Sequence, residues 1–122
     1  MYNTKMRNAK ILFYGLLTVI TWLAVTPLHV PQVDPDWGDK VNHAAAFGML
    51  FFVGCYAYRK ALYLWGRLIA YGIFIEILQS FLPFRTASAE DVAADIAGIA
   101  LGHFALFILN LSRFNILIKP KS

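Results

Sequence analysis

The sequence is divided into four apolar blocks, each about 20 residues long and joined to the next by a short polar connection. A helix of about 20 residues spans about 30 Å, the thickness of the hydrocarbon core of a bilayer. With 59% hydrophobic and 15% charged residues, the 122-residue chain is too apolar for an ordinary soluble domain. We therefore predict an all-α integral membrane bundle, a single domain over residues 1–122, with transmembrane spans at Ala9 to Leu28, Asn42 to Tyr58, Leu62 to Leu82 and Val92 to Leu111.

The basic residues predict the orientation of the spans. Nine of the eleven Lys and Arg residues lie in the N-terminal tail, around the connection at Arg59 and Lys60, or after the fourth span. Because positively charged connections remain in the cytoplasm, both termini are predicted to be cytoplasmic and the connections Thr26 to Val41 and Pro83 to Asp91 to be external. Topology thus explains the formal charge of +4, and no nucleic-acid partner is predicted.

A secretory signal peptide is the alternative interpretation of the first apolar block, because a basic N-terminal stretch precedes Ile11 to Val25. Cleavage would leave three spans and an external N-terminus. The small residues expected at a cleavage site are poorly represented around Val25, Thr26 and Pro27. A retained first helix is therefore favoured.

Every acidic residue lies in an outer connection or in the outer half of a span. A carboxylate within the hydrocarbon costs on the order of 2.5–3.5 kcal/mol on insertion scales, so Glu76 and Asp95 should face the bundle interior or water. The helical rise places polar residues of three spans about 5–9 Å inside the outer surface. These residues form pairs that are three or four positions apart and share one helical face: Asp39 with His43, Glu76 with Gln79, and Asp91 with Asp95.

We interpret this layer as a pocket that faces the outer side of the membrane. Lys40 and Arg85 lie just above it, where they can neutralise carboxylates or hold an anionic group such as a phosphate. The alternative is that the polar groups only join helices, with Glu76 tied to Arg85 or His43, in bonds that contribute about 0.6 kcal/mol on average. Four short helices do not need this many ionisable groups at one depth to pack, so the pocket is favoured.

Two further features of the fourth span are interpreted as packing. Ala94, Gly98 and Gly102 form a stripe of small residues, which favours close internal packing, although a homo-oligomer through Gly98 and Gly102 remains open. His103 lies about 18 Å into the span. We expect it to be a hydrogen-bonded packing residue and exclude it from the site.

Between about residues 39 and 102, polar and small residues follow a fixed order: Asp39-Lys40-x-x-His43, Glu76-x-x-Gln79, Pro83, Arg85, Ser88 and Asp91-x-x-x-Asp95-x-x-Gly98-x-x-x-Gly102. This order resembles the VanZ-like family of small bacterial membrane proteins, whose founding member is an accessory factor in teicoplanin resistance. The resemblance implies a multi-pass protein of the bacterial cytoplasmic (inner) membrane. It implies no settled reaction. The family motif maps onto the residues that we predict to bind the ligand, namely Asp39, Lys40, His43, Glu76, Gln79, Arg85, Asp91 and Asp95.

One position departs from the family pattern. Asp95 stands four residues after Asp91, where the family is expected to carry asparagine. The change replaces an amide, which both donates and accepts hydrogen bonds, with an ionisable acceptor. A mechanism common to the whole family is therefore not transferred to this chain, and neither is a resistance role.

Three classes of function remain open. The favoured one is a non-catalytic module that binds the headgroup of a membrane lipid, a lipid-linked cell-wall precursor or an amphiphilic antibiotic. The second is an intramembrane hydrolase or transferase acting on a lipid-linked substrate, with Glu76 or Asp91 as general base and His43 as proton partner, or with a divalent metal that activates water. No HExxH, GxSxG or cysteine nucleophile supports it, and no metal or cofactor is assigned. The third, a proton or ion pathway, lacks polar residues in the cytoplasmic halves apart from His103 and Arg67.

Overall fold

Four α-helices make up most of the chain. The computed structural model describes residues 2–26, 38–83 and 88–109, and its helices are α1 (Tyr2–Val25), α2 (Gly38–Tyr58), α3 (Ala61–Ser80) and α4 (Ala89–Leu109). All four are long and apolar enough to cross a membrane, and the described residues contain no strand. The predicted all-α bundle of four transmembrane helices is confirmed, and the chain is a multi-pass membrane protein.

The first helix differs most from its predicted span. It begins at Tyr2, seven residues before the predicted start at Ala9, because the basic N-terminal stretch contains no residue that breaks a helix. It ends at Val25, two residues before Pro27, because a proline disfavours helical backbone at the residue before it. The prolines of the predicted outer connection, within residues 27–37, lie outside the described residues.

The second and third helices are joined by only two residues, Arg59 and Lys60. The φ angle of Arg59 is 57°, in the left-handed region, and its N–H donates a hydrogen bond of 2.9 Å to the carbonyl of Cys55. A left-handed residue with this bond is a common way to end a helix. The short link makes α2 and α3 antiparallel neighbours, so the end of α3 lies beside the start of α2.

The closest helix contact joins α2 to α4 through small residues. A Cβ atom added to Gly98 would collide with the backbone of Ala44, and one added to Gly102 would lie 2.7 Å from the carbonyl oxygen of Gly48. The stripe of small residues on α4 thus packs against α2 of the same chain. Gly98 and Gly102 are buried there and present no free surface to a second copy, and a homo-oligomer stays a prediction.

The first helix packs at the edge of the bundle. The core consists mainly of side chains from α2, α3 and α4, including Phe47, Leu50, Phe51, Leu68 and Ile99. In the described part of α1, by contrast, Phe13 is the one buried side chain. An open apolar groove of about 740 Å³ lies between α1, α2 and α4, with Leu12, Leu16, Met49, Phe52, Leu101 and Ala105 among its lining residues.

Candidate functional site

Four of the predicted polar residues meet at one end of the bundle. His43 lies in the second turn of α2, Glu76 lies near the end of α3, and Asp91 and Asp95 lie in the first two turns of α4. The alternating directions of these helices bring the four positions to one height. The exposed fraction is 8% for Glu76, 3% for Asp91 and 1% for Asp95. We call His43, Glu76, Asp91 and Asp95 the polar cluster.

The imidazole of His43 is held by α4. Its Nδ1 atom lies 2.7 Å from Oδ1 of Asp95, a short hydrogen bond. An ionised carboxylate only accepts hydrogen bonds, so Nδ1–H is the donor. On the other side of the ring, Nε2 lies 3.9 Å from Oδ2 of Asp91, which is longer than a hydrogen bond. Asp95 therefore fixes the ring in an orientation that directs Nε2 toward Asp91.

Glu76 contacts the start of α4. Its Oε2 atom accepts a hydrogen bond of 2.8 Å from the backbone N–H of Ser88, whose own Oγ accepts the N–H of Asp91 at 3.3 Å. The Ser88-x-x-Asp91 spacing is that of a capping box, in which the acidic residue accepts the N–H of the capping serine. Here Glu76 of α3 accepts that N–H. The Asp91 carboxylate faces His43, with Oδ2 at 3.9 Å from Nε2.

Three members of the cluster are arranged so that they could share a cation. One ligand atom from each of His43, Glu76 and Asp91 lies within 4.8 Å of the other two. Asp91 also lies in the first turn of α4, where the partial positive charge of the helix terminus favours a carboxylate. Imidazole nitrogen and carboxylate oxygen together are ligands typical of divalent metals.

The other predicted site residues lie around the cluster. Gln79 is buried, but its Nε2 donates a hydrogen bond of 3.1 Å to the carbonyl of Ala24, so it joins α3 to α1. Its distance from Glu76 is one helical turn, yet the two side chains contact different helices. Lys40 forms an ion pair of 3.3 Å with Glu90, which is 76% exposed. This pair lies at the rim of the cluster.

Two predicted site residues are not placed by the structure. The backbone of Asp39 belongs to the first turn of α2, but its side chain lies outside the described part of the chain. All of Arg85 lies outside the described residues as well. Their predicted roles at the mouth of the pocket remain predictions.

The sequence model of the VanZ/LLP1 family matches residues 3–110, which include all of the polar cluster. This chain belongs to the VanZ/LLP1 family. The resemblance drawn from the ordered polar motif is thereby confirmed. No curated protein and no solved structure matches the chain significantly.

The sequence of this VanZ/LLP1 protein also contains a site residue that the polar pattern alone does not reveal. A Cβ atom added to Gly72 would lie 2.6 Å from Oδ2 of Asp95 and 3.4 Å from the ring of Phe47. Gly72 therefore makes room on α3 for the Asp95 carboxylate. The sequence feature that could have revealed this role is the position of Gly72 four residues before Glu76, on the same face of the helix.

The histidine in the other half of this VanZ/LLP1 bundle is a packing residue, as the sequence predicts. Nε1–H of Trp65 donates a hydrogen bond of 2.9 Å to Nδ1 of His103. The ring of Phe51 lies against the same imidazole, with 5.1 Å between ring centroids. His103 is thus held by neutral aromatic neighbours, about 12 Å further along α4 than Asp95 by helical rise.

Proposed function

We propose that the polar cluster binds the headgroup of a membrane amphiphile at the outer side of the bacterial cytoplasmic membrane. The amphiphile is a lipid, a lipid-linked cell-wall precursor or an amphiphilic antibiotic, and the protein serves an accessory role in the cell envelope or in antibiotic resistance. One observation carries the proposal. Among the residues that the structure describes, the buried polar side chains are Gln79 and three carboxylates of the cluster, Glu76, Asp91 and Asp95. Burying that much charge in a membrane is costly and is typical of functional sites.

The apolar groove provides a place for the rest of an amphiphile. On α2 the groove is lined from Val41 and Ala44, which flank His43 in the chain, as far as Val53. These positions span about 18 Å by helical rise. A molecule with its headgroup at the height of His43 can therefore place an acyl chain along α2, where the lining side chains are apolar.

The charge of the cluster indicates which headgroups fit. Three carboxylates and one histidine attract hydrogen-bond donors and cations, so a headgroup with an amine is favoured over one that is only anionic. Lys40, at the rim, and Arg85 are the residues expected to hold a phosphate. A zwitterionic headgroup that carries both an amine and a phosphate satisfies both sets of groups.

Native mass spectrometry of the purified chain tests the headgroup site. The wild type should retain phosphatidylethanolamine in preference to phosphatidylglycerol, and Glu76→Gln and His43→Gln should lower this retention about tenfold or more, because each removes a buried charge-assisted partner. His103→Gln is the matched control and should retain the lipid. Equal retention by all four proteins would show that the cluster does not bind headgroups.

Resistance is tested separately, because a headgroup site does not by itself protect a cell. Expression of the wild type in a susceptible host should raise the teicoplanin concentration that inhibits growth, and Glu76→Gln at equal membrane abundance should not. If neither protein changes that concentration, the resistance role is refuted and the lipid experiment still decides the site.

The outward orientation is tested by cysteine labelling in intact cells. The buried Cys55 is replaced by serine, and single cysteines are introduced as Ala89→Cys, at the exposed start of α4, and Ser122→Cys. A membrane-impermeant maleimide should label position 89 and not position 122. Labelling of position 122 alone would place the cluster on the cytoplasmic side.

The hydrogen bond between Asp95 and His43 favours a hydrolase or transferase as the second candidate. A carboxylate that holds the imidazole by Nδ1–H leaves Nε2 to accept a proton from water or a substrate hydroxyl. Incubation with a lipid-linked substrate and detection of the released headgroup distinguishes this candidate. Turnover by the wild type that Asp95→Asn slows without loss of lipid retention would support it, and retention without any product would contradict it.

A further inference from the structure

We infer that His43, Glu76 and Asp91 form a binding site for one divalent metal ion of the Zn²⁺ and Mn²⁺ class. One ligand atom from each residue lies within 4.8 Å of the others, in a layer contributed by three helices. A single imidazole with two carboxylates suits these ions better than Ca²⁺ or Mg²⁺, which prefer oxygen ligands alone.

The distance between His43 and Asp91 is suited to shared coordination. Nε2 and Oδ2 are 3.9 Å apart, too far for a hydrogen bond. Two ligands on one tetrahedral metal, each bonded at 2.0–2.1 Å, are about 3.3 Å apart. A small rotation of either side chain would bring Nε2 and Oδ2 to this ligand spacing.

Asp95 supplies the support that a metal-binding histidine needs. Metal-bound imidazoles almost always donate their second ring N–H to a carboxylate or carbonyl, which fixes the tautomer and the ring orientation. The 2.7 Å bond from Nδ1–H of His43 to Asp95 is such a contact, and it turns Nε2 toward Asp91. Gly72 leaves the space in which Asp95 lies. Asp95 is therefore a positioning residue for the metal.

Glu76 provides an independent reason to expect a cation. Its side chain is 8% exposed, and its Oε2 accepts the N–H of Ser88. Its Oε1 is buried and accepts no hydrogen bond from any residue that the structure describes. Buried acceptors are normally satisfied, and a metal ion held by Glu76, His43 and Asp91 would satisfy this oxygen. A divalent cation also neutralises part of the charge of three neighbouring carboxylates.

Titration of the full-length chain in detergent tests the site. After treatment with a chelator and its removal, Zn²⁺ and, separately, Mn²⁺ are titrated by calorimetry. The wild type should bind one ion per chain. Asp91→Asn and Glu76→Gln should lower the affinity by about 100-fold or more because each removes a ligand, and Asp95→Asn should lower it by roughly 10- to 100-fold because it weakens only the support of His43.

Two matched controls separate the site from unspecific binding. Glu90→Gln removes the exposed carboxylate next to Asp91, and His103→Gln removes the histidine held by Trp65. Both should bind as the wild type does. Zn²⁺ should raise the unfolding temperature of the wild type and both controls and leave Asp91→Asn unchanged, since only a bound ligand stabilises the fold. If Asp91→Asn does not fold, the lower metal affinity expected for Asp95→Asn tests the site in its place.

Several results would overturn the metal site. They are the absence of saturable binding, equal affinity in Asp91→Asn and the wild type, an equal loss in Glu90→Gln, and binding that occurs only after Arg85→Gln, which would mean that a guanidinium fills the site. Selective lipid retention without metal binding would refute the metal site and leave the headgroup proposal intact. Metal binding without selective lipid retention would support the metal site and refute the headgroup proposal.

Discussion

His43 and His103 lie in opposite halves of the bundle, and their partners have little in common. His43 bonds to Asp95 and faces a second carboxylate, Asp91, at the end of the bundle that also contains Glu76. His103 accepts one hydrogen bond from a neutral indole and lies against an aromatic ring. The described partners of His103 are thus neutral and aromatic. His43 lies among carboxylates instead, which is the reason to assign it a binding role.

In the half of the bundle around His103, the described residues include no carboxylate, and the helix contacts are largely aromatic. The hydroxyl groups of Tyr14 and Tyr58 hydrogen-bond to each other, and both rings contact Phe13 edge to face. Neutral pairs of this kind contribute packing and one hydrogen bond at little electrostatic cost. The charge of the described partners therefore distinguishes the histidine of the site from the histidine of the packing, whereas the residue type does not.

The largest expected effect concerns the helix crossing that holds the polar half together. Gly98→Ala should lower the free energy of unfolding by about 1–3 kcal/mol, because its methyl group meets the rigid backbone of Ala44 one turn below Asp95. Gly66→Ala, on the other half of α3, meets nothing within 4 Å. It should be neutral or stabilising by up to about 1 kcal/mol. Unfolding in detergent measures both, and equal losses would contradict the assignment of Gly98 to a tight contact.

A smaller loss of stability but a larger loss of binding is expected at Gly72. Its added methyl group would lie 2.6 Å from Oδ2 of Asp95, and the carboxylate can move to relieve the contact. Gly72→Ala should therefore cost about 1 kcal/mol in stability. Moving Asp95 breaks its bond to His43, so lipid retention and Zn²⁺ affinity should fall about tenfold. Gly15→Ala on α1, where no atom lies within 4 Å, is the control. Unchanged binding in Gly72→Ala would show that the Asp95 contact is not needed.

The aromatic half should tolerate the loss of its histidine. Replacing Trp65 by Phe, or His103 by Gln, removes one interhelical hydrogen bond, worth about 0.6 kcal/mol on average in membrane proteins. The double variant should cost less than the sum of the single variants, because both remove the same bond. Neither should change lipid retention. A tenfold loss of retention in His103→Gln would extend the site into this half and remove the contrast between the two histidines.

The smallest effect is expected at the rim. Lys40 and Glu90 form an ion pair that is open to solvent, so Glu90→Gln should change stability by 0 to about 1 kcal/mol, and less in high salt. Unfolding of the wild type and the variant at two salt concentrations measures this. A loss well above about 1 kcal/mol would place Glu90 with the buried carboxylates.

Much of the fold and part of the site could be predicted because they depend on local properties. Block length and hydropathy predict four spans, and the spacing of Asp91 and Asp95 predicts that both face one side of α4, as the structure shows. The common depth of the cluster follows from helical rise and alternating helix direction. Helix ends were less predictable, since α4 begins at Ala89, three residues before the predicted span, where Ser88 caps it.

The partners of the side chains could not be predicted from spacing. Glu76 and Gln79 are three residues apart, but one bonds to the start of α4 and the other to the end of α1. A separation of three residues turns a side chain about 60° around the helix, which is enough to direct it to a different neighbour. Which neighbour that is depends on how each helix is rotated and packed.

The sequence by itself determined the four membrane helices, the family, and the common depth of the polar cluster, because these follow from hydropathy, the ordered polar motif and the helical repeat. Only the tertiary structure decided that Asp95 holds His43, that Glu76 accepts the N–H of Ser88, and that Gly72 makes room for a carboxylate. Those contacts join residues far apart in the chain. They depend on helix rotation and on distances of a few tenths of an ångström, which close packing between helices fixes and one-dimensional spacing does not.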